Sequence, residues 1–527
     1  MTFLYGLALF AGLIMWIRSM LFWLYFIQLK HYRLDRLRLG LTRTSFYSLI
    51  FSKHRIVIML LLAAWWSAPY ISSQLSARIF PDGLFIISAG YLIAHLGQTI
   101  RALYRHSLQV PSATVKMRTL YVIIFLLEVS AFFYFFGNLG VILLVEFFQP
   151  VIVLSVFGLA YTPNIFLHRY FINRARKKIA THKNLIVIGI TGSYGKTTTK
   201  EFLAHILSKK YKVLKTPAHI NVDTGVAKAI LRGLTPEHEV FIVEMGAYKK
   251  GEIKKICDLA KPQYAVLTGL SDQHLELFGS MEAIAEAKFE LVEAIRDQSH
   301  IIVNAGSELL VSECKRRRTM SIWYGIRAHA ARFKPTDIVY TEKETSFTLH
   351  GVKFQVPCIG TAQLNNLLGA ITAAVELGLH LDEIASLVSD LPKIPGTMEP
   401  KLGNNGALII DDTYNANTEG VVTALRDLPH FNRSKKLFVF KEIIELGERT
   451  DADHTQIAKT AAHAADYIML LPSTARTVMS DALVKEEMGA ARVLDVGDTK
   501  KLRELCDADT VVLCEGRDAV KIMSLLL

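Results

Sequence analysis

Apolar residues follow two different patterns along this chain. Up to residue 160 they form long, nearly unbroken runs at 2–28, 56–73, 84–100, 120–136 and 141–160. Each run is close to the roughly 20 residues an α-helix needs to cross a bilayer. From residue 183 onward the runs are short and alternate with amphipathic stretches. Runs at 185–190, 240–243, 264–268, 407–411, 436–440, 467–471 and 510–514 predict buried strands, with helices between them. That alternation is the signature of mostly parallel α/β sheets. The segment 391–396, LPKIPG, is rich in Pro and Gly and predicts a hinge. The expected fold is multidomain. An N-terminal all-α transmembrane domain of about five helices covers 1–180. A central α/β nucleotide-binding domain covers 181–393, and a C-terminal α/β domain covers 394–527.

Basic residues give the first domain an orientation. Lys30, Arg33, Arg36, Arg38, Arg43, Lys53 and Arg55 follow the first run. Arg101, Arg105, Lys116 and Arg118 follow the third, and Arg169, Arg174, Arg176, Lys177 and Lys178 follow the fifth. The other connections, around Arg78 and at Gly137-Asn138-Leu139-Gly140, hold almost none. Because cytoplasmic loops collect Lys and Arg, the N-terminus is expected outside and everything after Arg169 in the cytoplasm. The expected location is the cell membrane, as a multi-pass protein. The first run lacks a basic start and a clear small-residue cleavage site, so a cleaved signal peptide is not expected.

The net charge of +12 needs no nucleic acid to explain it, because the basic residues cluster at span ends. Five scattered Cys show no pairing or ligand spacing, which argues against a disulfide framework or zinc site and fits a reducing compartment. Arg18, Glu128 and Glu146 fall inside apolar runs, where charge is costly. They are expected to lie near a boundary or to take internal partners. A polar pocket for a lipid headgroup, shared by Glu128 and Glu146, is the alternative.

Chemistry concentrates at residues 191–199, TGSYGKTTT, between a predicted strand and a helix expected over 200–209. A strand, a glycine loop and a Lys-Thr pair at a helix start suit a nucleotide triphosphate. Backbone amides cradle the phosphates, the Lys neutralises them, and the Thr hydroxyl reaches Mg²⁺. The spelling is unusual: Ile190 stands where the common loop has its first Gly, and the glycines are Gly189, Gly192 and Gly195. Glu244 ends the next buried run, at the strand edge where a carboxylate can hold Mg²⁺. His274 follows another strand at the same edge and is a candidate metal ligand or an ordinary solvated loop residue. Lys288 shares a helix face with Ile284, Leu291 and Ile295. A Lys on an apolar stripe needs a partner, a changed charge state, or a snorkelling path to water.

Together these segments resemble the Mur ligase family. TGSYGKTTT is followed by VEMGAYKKGEI (243–253), HLELFGSMEAIAEAKFE (274–290), LNNLLGAITAA (364–374), DDTYNAN (411–417), IELG (444–447) and His454, in the family's order. Within it they are most similar to the type that adds D-alanyl-D-alanine to a muramyl peptide. The resemblance implies a P-loop central domain and a Rossmann-like C-terminal domain. It implies joining of an amine to a peptide carboxylate through an acyl phosphate, using ATP. ATP would be held by Thr191, Gly192, Ser193, Tyr194, Gly195, Lys196, Thr197 and Thr198, with Asn366 at the adenine and Asp412 near the nucleotide. Mg²⁺ would be served by Thr197, Glu244, His274 and Lys288, the last as a carbamate. Catalytic roles fall to Lys196, His274 and Lys288, while Tyr414, Asn415 and Asn417 would face the incoming amine. The implied partners are a muramyl-peptide or related carboxylate acceptor and a dipeptide or amino-acid amine, beside the lipid bilayer.

Four places depart from the family pattern. Thr397 replaces the Arg after Pro-Gly, and Ala362 or Gln363 stands where a His precedes the adenine Asn. Thr418 and Gly420 replace Pro and Ser after the tyrosine motif, and Lys441-Glu442 stands where Gly-Asp precedes IELG. No UDP-sugar-binding domain is expected between Arg169 and the first catalytic strand; the membrane domain stands in its place. A lipid-linked or otherwise membrane-held acceptor is therefore expected, with a UDP-linked one as the alternative. Two other readings are a membrane-associated poly-glutamate synthetase and a degenerate, non-catalytic nucleotide-binding membrane protein. The motifs after Glu244 and the intact Lys196, Thr197, Glu244, His274 and Lys288 favour the first reading.

Overall fold

Five helices lead the chain. They are α1 (Thr2–Leu29), α2 (Lys53–Leu75), α3 (Ile79–Tyr104), α4 (Val115–Tyr134) and α5 (Leu139–Ala180). The computed structural model describes residues 2–29, 53–75, 79–104, 108, 110–134, 138–218, 220–326 and 331–527. Lys30, Arg33, Arg36, Arg38, Arg43, Arg78, Arg105 and Gly137, on which the expected orientation partly leans, lie outside the described residues. The chain divides into two units, Met1–Arg169 and Tyr170–Leu527.

In the first unit, four stretches among the described residues are long and apolar enough to cross a membrane: Thr2–Leu29, Asp82–Tyr104, Val115–Tyr134 and Leu139–Ala180. Large apolar side chains such as Leu60, Ile87, Leu126 and Leu144 are exposed, the reverse of a water-soluble bundle. Trp16 is fully buried and donates its indole N–H to Ile142 O at 2.9 Å. The ionisable residues of the apolar runs take internal partners. Gln149 Nε2 donates to Glu128 Oε1 at 2.5 Å, His54 Nε2 lies 3.4 Å from Glu146 Oε1, and Arg18 donates to Thr99 Oγ1 at 3.2 Å. α5 does not end with its apolar run at residue 160; it continues as one helix of 42 residues to Ala180.

The second unit holds three sheets. β1 (Ile186–Thr191), β2 (Val213–Lys215), β3 (Val240–Glu244), β4 (Tyr264–Leu267), β5 (Ile301–Asn304) and β6 (Ile322–Tyr324) form an all-parallel sheet in the order β2-β3-β1-β4-β5-β6. Its inner strands β1, β3, β4 and β5 are buried on both faces, which is why they are near-continuous apolar runs. Strand order reverses at β1. In open α/β sheets a ligand crevice forms at such a switch point, outside the carboxyl ends of the strands. Two helices flank this point: α6 (Lys196–Leu207), which follows β1, and α7 (Met281–Ala294). α6 begins four residues before the helix expected from the sequence, because Gly195 takes a left-handed conformation and turns the chain straight into it. α7 lies so close over β1 that a Cβ at Gly189 would stand 2.6 Å from Leu291 Cδ1.

A small antiparallel sheet of β7 (Thr336–Tyr340), β8 (Thr345–Leu349) and β9 (Val352–Val356) precedes α8 (Gly360–Glu376). The last sheet contains β10 (Glu399–Leu402), β11 (Leu408–Asp412), β12 (Lys435–Phe440), β13 (Tyr467–Leu470), β14 (Val493–Leu494) and β15 (Thr510–Glu515), in the order β10-β11-β15-β12-β13-β14. Only β10 is antiparallel to its neighbour. α9 (Thr418–Asp427) and α10 (Thr450–Ala464) pack on it.

Candidate active site

The loop from β1 to α6 is shaped to present backbone amides. Gly192 has φ 155° and Gly195 has φ 76°. A Cβ would stand 2.1 Å from Thr268 Oγ1 at the first and 2.2 Å from Asn366 Oδ1 at the second. Only glycine meets both demands. Loop side chains strap the turn to its surroundings. Thr191 Oγ1 donates to Met245 O at 2.9 Å, Ser193 N donates to Gly269 O at 2.8 Å, and Ser193 Oγ donates to Ser271 O at 3.2 Å. Thr268 Oγ1 donates to Tyr194 O, and the Tyr194 ring lies against Gly269. Thr198 is buried in the first turn of α6. Lys196 arches back over the loop, its Nζ 2.7 Å from Gly192 O and 3.1 Å from Ser193 O. Burial pulls its pKa below the ordinary lysine value.

Thr197 Oγ1 donates to Glu244 Oε2 at 3.1 Å, so the two expected Mg²⁺ ligands meet. Glu244 is 1% exposed. Lys200 Nζ donates to its Oε2 at 3.0 Å, and Asn221 Nδ2 donates to its Oε1 at 3.1 Å. Sequence reasoning missed Lys200, which is fully buried. The available signal was its spacing: four residues after Lys196, it shares the helix face that carries the loop lysine.

Lys288 lies on the buried face of α7 with Ile284 and Leu291 and is itself 5% exposed, which rules out snorkelling. Among the described residues it has no ion pair or hydrogen bond. Its pKa falls to about 7, first through burial and then through the Lys196 cation. His274 has φ 65° and places Nδ1 2.5 Å from Glu445 Oε2, with its ring edge-on to Tyr248. One nitrogen is thus held by a carboxylate while the other is left for a ligand, the arrangement that orients metal-binding histidines. Burial lowers the His274 pKa and favours the neutral ring.

Among the described residues no three His, Cys, Asp or Glu side chains form a complete metal site. The hydroxyl–carboxylate pair Thr197–Glu244 nevertheless fits Mg²⁺, a hard cation that keeps waters and phosphate oxygens as most of its ligands. The loop amides and Lys196 fit a nucleotide polyphosphate.

The C-terminal sheet meets this site. Tyr414 is hydrogen-bonded through its side chain to Thr197, its N–H donates to Gly396 O at 2.8 Å, and Arg517 Nε donates to its carbonyl at 3.2 Å. Asp412 accepts from Met398 N at 3.2 Å and is hydrogen-bonded to Glu515. Burial pushes Asp412 to about 7 and raises Glu515 as well. Asn366 lies directly against Gly195, and Asn415 is exposed. Asn417 caps α9, its side chain accepting from Gly420 N at 3.0 Å, so Thr418 and Gly420 form the capped first turn.

Further contacts brace the cleft, some across it and some within one side. Arg449 Nε lies 3.3 Å from Asp272 Oδ2 and its Nη2 2.9 Å from Asp453 Oδ1. Burial first, then the neighbouring Asp453, raises Asp272 to about 7. Thr361 N donates to Asp427 Oδ2 at 2.6 Å. Two of the departures from the family pattern touch each other: Gln363 Nε2 donates to Thr397 O at 2.6 Å. That bond pins the hinge to the start of α8.

Residues 190–374 match the family described as "Mur ligase middle domain", and residues 398–522 match "Mur ligase, glutamate ligase domain". The UDP-N-acetylmuramoyl-tripeptide–D-alanyl-D-alanine ligase of Escherichia coli K12 is 32% identical over 283 residues, covering 52% of this chain and 62% of that protein. The ligase of the same name from Synechocystis is 34% identical over 294 residues, covering 55% and 63%. The chain thus spans less than two thirds of either relative's length. Among solved structures, MurF ligase from Thermotoga maritima in complex with ADP aligns with a TM-score of 0.58 at 27% identity, covering 68% of this chain and 82% of that one. MurF from Acinetobacter baumannii shares the fold, with a TM-score of 0.60 at 24% identity, covering 68% and 80%. The second unit of this chain belongs to the Mur ligase family and carries its middle and C-terminal domains.

Proposed function

We propose that this chain is an ATP-dependent amide ligase of cell-wall precursor synthesis, held at the membrane by its first unit. It joins D-alanyl-D-alanine or a similar amine to the carboxylate of a muramyl peptide through an acyl phosphate. The observation that carries this reading is the pair of buried lysines Lys196 and Lys288. Lys196 bonds the carbonyls of the glycine loop and acts on Lys288, and among the described residues neither forms an ion pair. A cation at Lys196 suits phosphate charge, and an unpaired amine at Lys288 suits carbamate formation. The named activity of the E. coli and Synechocystis relatives supports the same substrate class.

ATP, when bound, supplies the phosphoryl group that activates the acceptor, and Mg²⁺ screens its charge. Lys196 and the loop amides offset the phosphate charge that develops. Thr197 and Glu244 would hold the metal, with His274 presenting the ring nitrogen that Glu445 does not bond. Lys288, whose burial lowers its pKa to about 7, first gives one proton to solvent; the neutral amine then adds CO₂, the Nζ–carbon bond forms, a second proton leaves to solvent, and a carbamate anion results. Tyr414 draws the C-terminal domain onto Thr197, which keeps water from an acyl phosphate until the amine attacks. Asp412 and Asn415 lie on the same side of the cleft and contribute to nucleotide and amine binding. The acceptor is membrane-held, because apolar helices precede the middle domain.

The test uses detergent-solubilised full-length protein with ATP, Mg²⁺ and D-alanyl-D-alanine. The acceptor is either a UDP-linked or a lipid-linked muramyl peptide. ADP release that needs both acceptor and amine is expected. Turnover with the UDP-linked acceptor alone rejects the membrane-held acceptor but keeps the ligase. ADP release indifferent to both rejects the ligase.

A further inference from the structure

Glu244, at the end of β3, takes three side-chain donors from this chain. Lys200 Nζ and Thr197 Oγ1 both donate to its Oε2, at 3.0 Å and 3.1 Å, and Asn221 Nδ2 donates to its Oε1 at 3.1 Å. A carboxylate oxygen has two lone pairs, so Oε2 is saturated and Oε1 keeps one place. Of the three donors, Lys200 alone is charged, and it is 0% exposed.

Buried this deeply, the Lys200 ammonium depends on the protein for its partners. Its Nζ also lies 3.4 Å from Pro217 O and 3.5 Å from Glu201 Oε1, and Glu201 pairs in turn with Lys215. Glu244 is the nearer of the two carboxylates, and the pair is buried on both sides. Such a pair is weak evidence for stability, because an apolar pair of similar volume often serves as well. Its larger effect is on local charge. Lys200 lies one helical turn after Lys196 on the same face of α6. Glu244 and Lys196 also act on one another. Lys200 cancels the single negative charge of Glu244, and Lys196 then makes the site net positive. A positive site attracts phosphate and disfavours a divalent cation that arrives without it.

We propose that Lys200 is a positioning residue that holds Glu244 on Thr197 and cancels its charge, so that a divalent cation binds there only together with the polyphosphate of a nucleotide. Phosphate oxygens supply the negative charge that Glu244 shares with Lys200. This role rests on the metal site proposed above, and its test separates the two.

The probe is Mn²⁺, taken in place of Mg²⁺. Detergent-solubilised full-length protein is dialysed to equilibrium against Mn²⁺, with or without ADP on both sides of the membrane, and protein-bound Mn²⁺ is counted. The binding that Thr197→Val removes is assigned to this site. In the unaltered chain, ADP should tighten Mn²⁺ by about tenfold or more. Lys200→Met and Lys200→Gln should each bind Mn²⁺ without ADP about tenfold more tightly than the unaltered chain, closing most of that gap. Lys228→Gln removes the same charge from an exposed position and should leave both affinities unchanged. A merely structural Lys200 would, when replaced, lower metal binding or leave it alone, not raise it. Lys200→Gln keeps a donor for Glu244 and serves where Lys200→Met fails to fold, and the comparison with and without ADP needs no variant. Mn²⁺ bound equally well with and without ADP, or no gain in a folded Lys200 variant, overturns the proposal. No Mn²⁺ bound under either condition rejects the metal site and this role with it.

Discussion

At the scale of single residues, the roles proposed for Lys196 and Lys288 each have a measurable signature. Lys196→Ala removes a charge aimed at the phosphates while leaving the glycine turns in place. ATP turnover should fall by about 100-fold or more, with thermal stability unchanged. Lys288 has a pH signature. In the folded chain its proton is lost near pH 7, whereas in the unfolded chain it is kept to about 10.5. Between those values the unfolded chain binds the extra proton, so stability rises with pH there, and the cost of the buried cation is full below about pH 7. In CO₂-free buffer, Lys288→Met should therefore melt at a higher temperature than the unaltered chain at about pH 6. The difference should shrink as pH rises towards about 10. A gap that widens with pH would refute the buried, unpartnered amine. Lys288 was legible in the sequence because its neighbours at helical spacing are apolar. Lys200 was legible only as a lysine one helical turn after Lys196; its pairing with Glu244 is set by packing that no local pattern reports.

At the scale of elements, β1, β3, β4, β11, β12, β13 and β15 were legible because buried parallel strands are continuous apolar runs, whereas short strands such as β2, β6 and β14 and the antiparallel β7–β10 carry no such run. The start of α6 was not legible, because it is set by the left-handed Gly195 rather than by periodicity. Gly195→Ala meets both an unfavourable φ and the Asn366 side chain. It should abolish binding of a fluorescent ADP analogue while circular dichroism stays unchanged. Asn417 tests a distinction between recognition and architecture. Its side chain caps α9, so Asn417→Ala should cost about 1 kcal/mol of stability and leave the choice of amine unaltered. A changed amine preference at unchanged stability would return Asn417 to the binding surface. In the first unit, Arg18 and Glu146 were legible as charges in apolar runs. Their partners Thr99 and His54 were not, because helix-to-helix register is invisible to a one-dimensional pattern.

At the scale of the second unit, the site is completed by pairs that bring the C-terminal domain onto the middle domain. His274–Glu445, Asp272–Arg449 and Tyr414–Thr197 each join residues more than a hundred positions apart. No periodicity or motif spacing reports such pairs, so the sequence suggested a hinge and a cleft without the contacts that close it. If closure shields the reacting carboxylate, Glu445→Ala should lower turnover while nucleotide affinity in a direct binding assay stays within about twofold. Equal losses in both would assign Glu445 to nucleotide binding instead.

The activity proposed for the second unit joins a peptide carboxylate to an amine while converting ATP to ADP and phosphate. Mass spectrometry of the products tests it most directly. Full-length protein is incubated with ATP, Mg²⁺, D-alanyl-D-alanine and a muramyl-tripeptide acceptor, and adduct and ADP are counted together. The account predicts one dipeptide added per ADP formed, with both lost in Lys196→Ala. ADP formed without adduct, or adduct formed equally by Lys196→Ala, would contradict it.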